Sequence, residues 1–179
     1  MKTQKKHTNY PRILGSIVGC IVFFGFLLSS TQALPSLTNK VHSIDLQIDN
    51  PFMSVDGVSM KIDPLSDATP LIVPSWKRAM IPLRGVFEHM GASIEWIPEE
   101  KKIQIYQEHS STEIVLQIHS PTAHVQGKVC WIDEENHQVS PFILHQRTYI
   151  PILFVGEALD AKVIWYPQGK FISIQWEEP

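Results

Sequence analysis

Past its first 33 residues, this 179-residue chain has a single cysteine, Cys130; the other, Cys20, sits in an apolar stretch near the start. An intramolecular disulfide is therefore excluded once that start is gone, and a lone thiol in a strand reads as a small buried residue. Positive charge is also scarce. The first 33 residues hold Lys2, Lys5, Lys6 and Arg12 and no acid, leaving 11 Lys and Arg against 18 Asp and Glu, a formal −7. That balance excludes a basic footprint for nucleic acid. It also disfavours plain electrostatic attraction to an anionic wall polymer or lipid headgroup. The sequence has no Ser-His-Asp order, Gly-rich phosphate loop or nucleophile elbow. Seven histidines lie beyond the start (His42, His89, His109, His119, His124, His137, His145), none paired at the i, i+4 spacing of a helical metal site.

Long apolar runs are few. Ile13–Leu28 is uncharged but has only 16 residues, short of the roughly 20 that span a bilayer. It follows a basic start and precedes SSTQA, with small residues at Thr31 and Ala33. This is the three-part pattern of a secretory signal, residues 1–33. An uncleaved N-terminal anchor and a lipoprotein read from Ile17-Val18-Gly19-Cys20 are the other two readings. All three export the rest.

What the chain does have is a stretch present twice. Arg78–Ile105 recurs 69 residues later as Arg147–Ile174 with eleven identities, including Pro82/Pro151, Glu88/Glu157, Trp96/Trp165 and Pro98/Pro167. Upstream, Ile44-x-Leu46-Gln47-Ile48 and Val55-x-Gly57 recur as Ile114-x-Leu116-Gln117-Ile118 and Val125-x-Gly127, and Ile62-Asp63 recurs as Ile132-Asp133. Repetition at a fixed period fixes architecture before any residue-level reading. The expected layout is a leader over 34–43, one unit over 44–107, a polar hinge over 108–113 and a second unit over 114–176.

Each unit reads the same way. Ile44, Leu46 and Ile48 alternate with polar residues, a strand with one buried face. Asp56-Gly57 marks a hairpin turn, with Gln126-Gly127 in its place later. Leu71–Val73 and Phe142–Leu144 read as short buried strands. Pro82 and Pro151 open a helix. Leu83, Val86, Phe87 and Met90 form one apolar face, and Gly91 is a left-handed cap. Asp160 takes that place in the second unit at a cost near 1 kcal/mol, and Gly156 weakens the second helix by about as much. A hairpin carrying Ile94/Trp96 and Ile103/Ile105 closes the unit. Thirteen prolines agree with many turns and short elements.

These residues resemble a known family, the copper amine oxidase N-terminal-like (stalk) domain, whose pattern runs Gly-Arg-Thr-x-Val-Pro-Leu-Arg, then Ala-Glu-x-Leu-Gly-Ala-x-Val-x-Trp-Asp. Arg78, Ile81, Pro82, Leu83, Arg84, Glu88, Gly91, Ala92, Ile94 and Trp96 match it. So do Arg147, Thr148, Ile150, Pro151, Glu157, Ala158, Leu159, Ala161, Val163 and Trp165. Lys77 and Gln146, Ile97 and Tyr166, and Leu153 depart from it. The resemblance implies an α+β fold of two tandem repeats, each about five antiparallel strands around one helix. It implies no copper or oxidase chemistry, which belongs to a separate catalytic domain of the oxidases.

The expected protein is non-catalytic, with no catalytic residue, cofactor or metal, and acts in interaction, adhesion or spacing at the bacterial cell envelope. Its partner is then an envelope protein or wall polymer, with no nucleic acid, and a membrane only through an uncleaved N-terminal segment. The alternatives are a carbohydrate- or peptidoglycan-binding module, an inhibitor of or accessory to an exported enzyme, and a small hydrolase. Arg78 and Arg147 read as structural, satisfying loop carbonyls or Glu88 and Glu157. Trp96 and Trp165 read as core or sheet-face aromatics. A site is best sought where the units differ: Trp76, Lys77, Arg84, Trp131 and Glu134–Ser140.

Overall fold

The computed structural model describes residues 40–108 and 110–178. The signal-like segment 1–33, most of the leader and His109 lie outside the described residues. The leader ends earlier than expected, because the first strand begins at Lys40 rather than Ile44.

Among the described residues, fourteen strands and two short helices follow in order. The first half holds β1 (Lys40–Gln47), β2 (Phe52–Val55), β3 (Val58–Lys61), β4 (Leu71–Val73), β5 (Arg78–Pro82), α1 (Leu83–Phe87), β6 (Ala92–Ile97) and β7 (Lys102–Gln107). The second holds β8 (Thr112–Gln117), β9 (Thr122–Val125), β10 (Lys128–Trp131), β11 (Phe142–Leu144), β12 (Arg147–Pro151), α2 (Ile152–Ala158), β13 (Lys162–Tyr166) and β14 (Phe171–Glu178). Among the described residues the fold is predominantly β with few helices; the antiparallel sheets are as expected, and the α+β expectation holds only in part because the helices are short. The helices are short because their ends are fixed. Pro82, at φ −61° and ψ 118°, starts α1. After Phe87 the chain tightens into a 3-10 turn, Glu88–Met90, and stops at Gly91 with φ 75°. Leu83, Val86, Phe87 and Met90 are all buried, the apolar face read from their spacing.

Local turns also follow the residues. Asp56 and Gly57 have φ of 49° and 83°, and Gln126 and Gly127 have 49° and 75°. Two consecutive positive φ values make the turn whose twist suits a two-residue hairpin. They close β2 on β3 and β9 on β10. Asp160, at φ 58°, holds the left-handed position after α2.

The sheets are not divided between the halves as expected. One five-stranded sheet runs β10-β9-β8-β7-β6, an unbroken meander. The other runs β13-β14-β1-β2-β3, so the last hairpin of the chain completes the sheet begun by the first three strands. A four-stranded sheet, β11-β12-β5-β4, joins the halves again, with Ile81 opposite Ile150. Physically, local pairing wins. Where a hinge was expected, the Ser111 N–H instead donates to the Glu108 carbonyl at 3.2 Å, Gln107 stands opposite Thr112, and β7 pairs with β8. A short loop closes at low entropic cost. With β6 and β7 committed there, β1 takes β14 along eight paired positions, Lys40 opposite Glu178 through Gln47 opposite Phe171.

One core results. Ile44 and Leu46 from β1, Phe87 from α1, Ile103 and Ile105 from β7, Ile114 and Leu116 from β8, and Ile172 and Ile174 from β14 belong to a single buried cluster. A half of about 65 residues alone has a marginal core; here each draws on the other. Leu71–Val73 and Phe142–Leu144 are not the buried strands expected. As β4 and β11 they are the two edges of the four-stranded sheet, and Ile72 and Ile143 are exposed. Gly156 has a packing reason that outweighs its weak helix propensity: a Cβ there would stand 2.4 Å from Cγ2 of Val163, so its absence lets α2 lie against β13.

Candidate functional site

Two arginines at the starts of β5 and β12 organise the surface. The Arg78 guanidinium donates from Nε and Nη2 to the two carboxylate oxygens of Asp133, in the loop after β10. It also reaches Glu135 Oε2 at 3.1 Å. Arg147 donates from Nε to Asp63, in the loop after β3. The expected partners are met in part: Arg147 donates from Nη1 to the loop carbonyl of Gln146 at 3.2 Å, but the carboxylates belong to Asp133 and Asp63 of the opposite half, not to Glu88 and Glu157. A planar guanidinium fork suits such a two-oxygen acceptor.

The acceptors are prearranged. Asp133 Oδ1 accepts from the backbone N–H of Glu135 at 3.0 Å and of Asn136 at 2.9 Å. Asp63 accepts from the N–H of Leu65 at 2.9 Å and from Ser66 Oγ at 2.7 Å. The Arg147 hydrogen bond holds the Asp63 carboxyl at about 2, despite burial pushing the other way. The Asp133 carboxyl is likewise lowered, chiefly by Arg78. Glu88 instead meets Arg84 one helical turn back, at 3.4 Å, an i, i+4 pair.

A groove opens beside each arginine. The first, about 700 Å³, lies over Arg78 and is lined by the exposed Ile72, Trp131, Leu153 and Trp165, with Lys77, Glu134 and Glu157 at its rim. The second, about 850 Å³, lies over Arg147 and includes Trp96, Ile143, Leu65, Arg84, Glu88 and His89. Glu88 and Glu157 therefore stand in different grooves and form no acid pair. Among the described residues, no three His, Cys, Asp or Glu side chains are grouped to hold a metal ion.

The residues singled out in sequence are dispersed. Lys77, Trp131 and Glu134 come together in the first groove, whereas Arg84 lines the second. Trp76 packs edge-on to Phe142, with ring centres 6.0 Å apart. Glu135 sits on Arg78, and His137 stacks on Trp131 at 3.8 Å and 7°. Val139 and Ser140 are buried. The two equivalent tryptophans differ: Trp96 is half-buried, but Trp165 is 42% exposed. Leu153 was noted only as a departure from the family pattern; that departure, an exposed leucine where an arginine is usual, was the available signal.

Remaining polar groups have local duties. His42 Nδ1 meets Asp56 Oδ2 at 2.7 Å while its ring stacks on Trp176. The Asp56 carboxyl is lowered by the Ser43 backbone N–H and by His42. Cys130 is half-buried, and burial pushes its thiol up.

No helix among the described residues is long and apolar enough to cross a membrane. No curated protein and no solved structure matches the chain. The model of the Copper amine oxidase N-terminal domain family matches residues 54–174, from β2 into β14, and that domain is a non-catalytic part of those enzymes. With its arginine-proline helix starts and strand tryptophans inside that span, the chain belongs to the copper amine oxidase N-terminal domain family.

Proposed function

We propose that this chain is an exported, non-catalytic interaction module of the cell envelope, made of two copies of one stalk-like unit, 44–107 and 114–176, that exchange their closing hairpins. The supporting observation is the pair of grooves. Each is built on an arginine from one half held by an aspartate from the other, with exposed apolar side chains in its walls. Such a surface offers area and orientation to a partner rather than chemistry. The signal-like segment 1–33 supplies the export and is cleaved, or remains as the anchor.

Fractionating the producing cells tests this. The protein is expected in the membrane, wall or medium fractions, and recovery in the cytoplasm overturns the proposal. A second reading, a glycan-binding module, is favoured by one observation: Trp131 and Trp165 expose aromatic surface to the same groove. Pull-down on purified cell wall separates the two. Retention that survives salt washing supports the glycan reading, since the acidic chain has no unspecific route to retention.

A further inference from the structure

β13 is an outermost strand of its sheet and borders the first groove. One side of its backbone is without a strand neighbour among the described residues, and such an edge templates further pairing unless it is blunted. The corresponding edge of the other five-stranded sheet, β6, carries Glu95 in mid-strand. β13 reads Lys-Val-Ile-Trp-Tyr, with Ile164 in that position and its only charge, Lys162, at the end. Trp165 and Tyr166 are 42% and 48% exposed, and Phe171 on the neighbouring β14 is 43% exposed. This edge is apolar, accessible and undefended.

Its alternation is also suited to recognition. Val163 and Trp165 point one way, into the groove, opposite Trp131 and beside Leu153 of α2. His137 backs Trp131 and holds its ring in place. Charge selects the occupant. Arg78 is neutralised by Asp133 and Glu135. Glu134 and Glu157 remain at the rim against Lys77 alone, and no ion pair among the described residues engages them. In the second groove each cation has a carboxylate partner: Lys61 with Asp67, Arg84 with Glu88 and Arg147 with Asp63.

Resting on the reading of the chain as an interaction module, we propose that β13 accepts an extended, basic peptide segment of a partner protein as a sixth strand. Alternate apolar side chains of that segment enter the first groove, and its Lys or Arg side chains meet Glu134 and Glu157. Main-chain hydrogen bonds supply affinity, and the groove supplies selection.

The test is calorimetric titration of the full chain with a seven-residue peptide alternating Val with Lys or Arg. Three probes are compared with it: the same peptide N-methylated at alternate amides, an analogue with Glu for Lys and Arg, and chitohexaose. The basic peptide is expected to bind, and the N-methylated and acidic forms to bind about tenfold more weakly or not at all. Trp165→Ala is expected to weaken binding about tenfold or more, with its fold checked by circular dichroism. Equal binding of the N-methylated peptide overturns strand addition without relying on any protein variant. Binding of chitohexaose but not of peptide overturns the proposal and favours the second reading, a glycan-binding module. Binding of neither overturns the proposal as well. The fractionation result decides export separately.

Discussion

The Arg147–Asp63 pair ties the halves together, and it makes stability depend on pH in a way that can be isolated. The Asp63 carboxyl titrates near 3.8 when unfolded and at about 2 when folded. A depressed folded value means that the contribution is fully present above pH 4 and is lost as pH falls through 2. A difference of about 1.8 units corresponds to about 2.5 kcal/mol at 1.4 kcal/mol per unit. The side chains are 31% and 17% exposed, so solvent screening reduces this to roughly 1–2 kcal/mol. Other carboxyls are lowered as well, Asp56 and Asp133 among them, and also contribute to acid sensitivity. The informative quantity is therefore the difference between the natural protein and Asp63→Asn. Urea unfolding followed by tryptophan fluorescence at pH 6, 4, 3 and 2 measures it. The difference should shrink by about 1–2 kcal/mol between pH 6 and pH 2. Stability curves that stay parallel over that range would refute the argument that Arg147 holds Asp63 ionised.

Three further outcomes are expected. Gly85→Ala places a Cβ 1.8 Å from the Ile62 carbonyl oxygen, so α1 must move; thermal unfolding should show a loss of about 2 kcal/mol despite the better helix propensity of alanine. Gly91→Ala meets no atom within 4 Å but keeps φ at 75°, and should cost only about 1 kcal/mol in the same assay. Nicking the chain between β7 and β8 should leave both fragments in one native peak on size exclusion, because β14 remains paired with β1 and the core is shared; two separately eluting, folded halves would contradict the shared core.

Local structure was readable from the residues because its causes are local. Asp56-Gly57 and Gln126-Gly127 set their turns, and Pro82 and Gly91 set the limits of α1. Strand partnership was not readable. β1, β7, β8 and β14 each carry two buried branched residues two apart (Ile44/Leu46, Ile103/Ile105, Ile114/Leu116, Ile172/Ile174), so alternation gives each strand a face but not a neighbour. The partner of Arg78 was hidden for a similar reason. Asp133 lies 55 residues away, whereas Glu88 was the nearer carboxylate on the chain. The first groove was partly legible, since Lys77, Trp131 and Glu134 were places where the two halves differ. Its far wall, Trp165, was not, because identical tryptophans in equivalent strands meet different surroundings.

The pairing of β1 with β14 has a consequence in time. Gln47 meets Phe171, 124 residues further on, and no earlier strand takes that side of β1 in the finished fold. Synthesis at ~5–20 residues per second separates the two by ~6–25 s. By the end of β10 at Trp131 the meander from β6 to β10 has all its strands, while β1 to β3 still wait with Ile44 and Leu46 uncovered on one flank. Closure of the first sheet is thus the last and slowest event, as expected when contacts are distant along the chain. On the export proposed above, strand order alone would supply the delay that keeps the chain open while it is threaded through a channel.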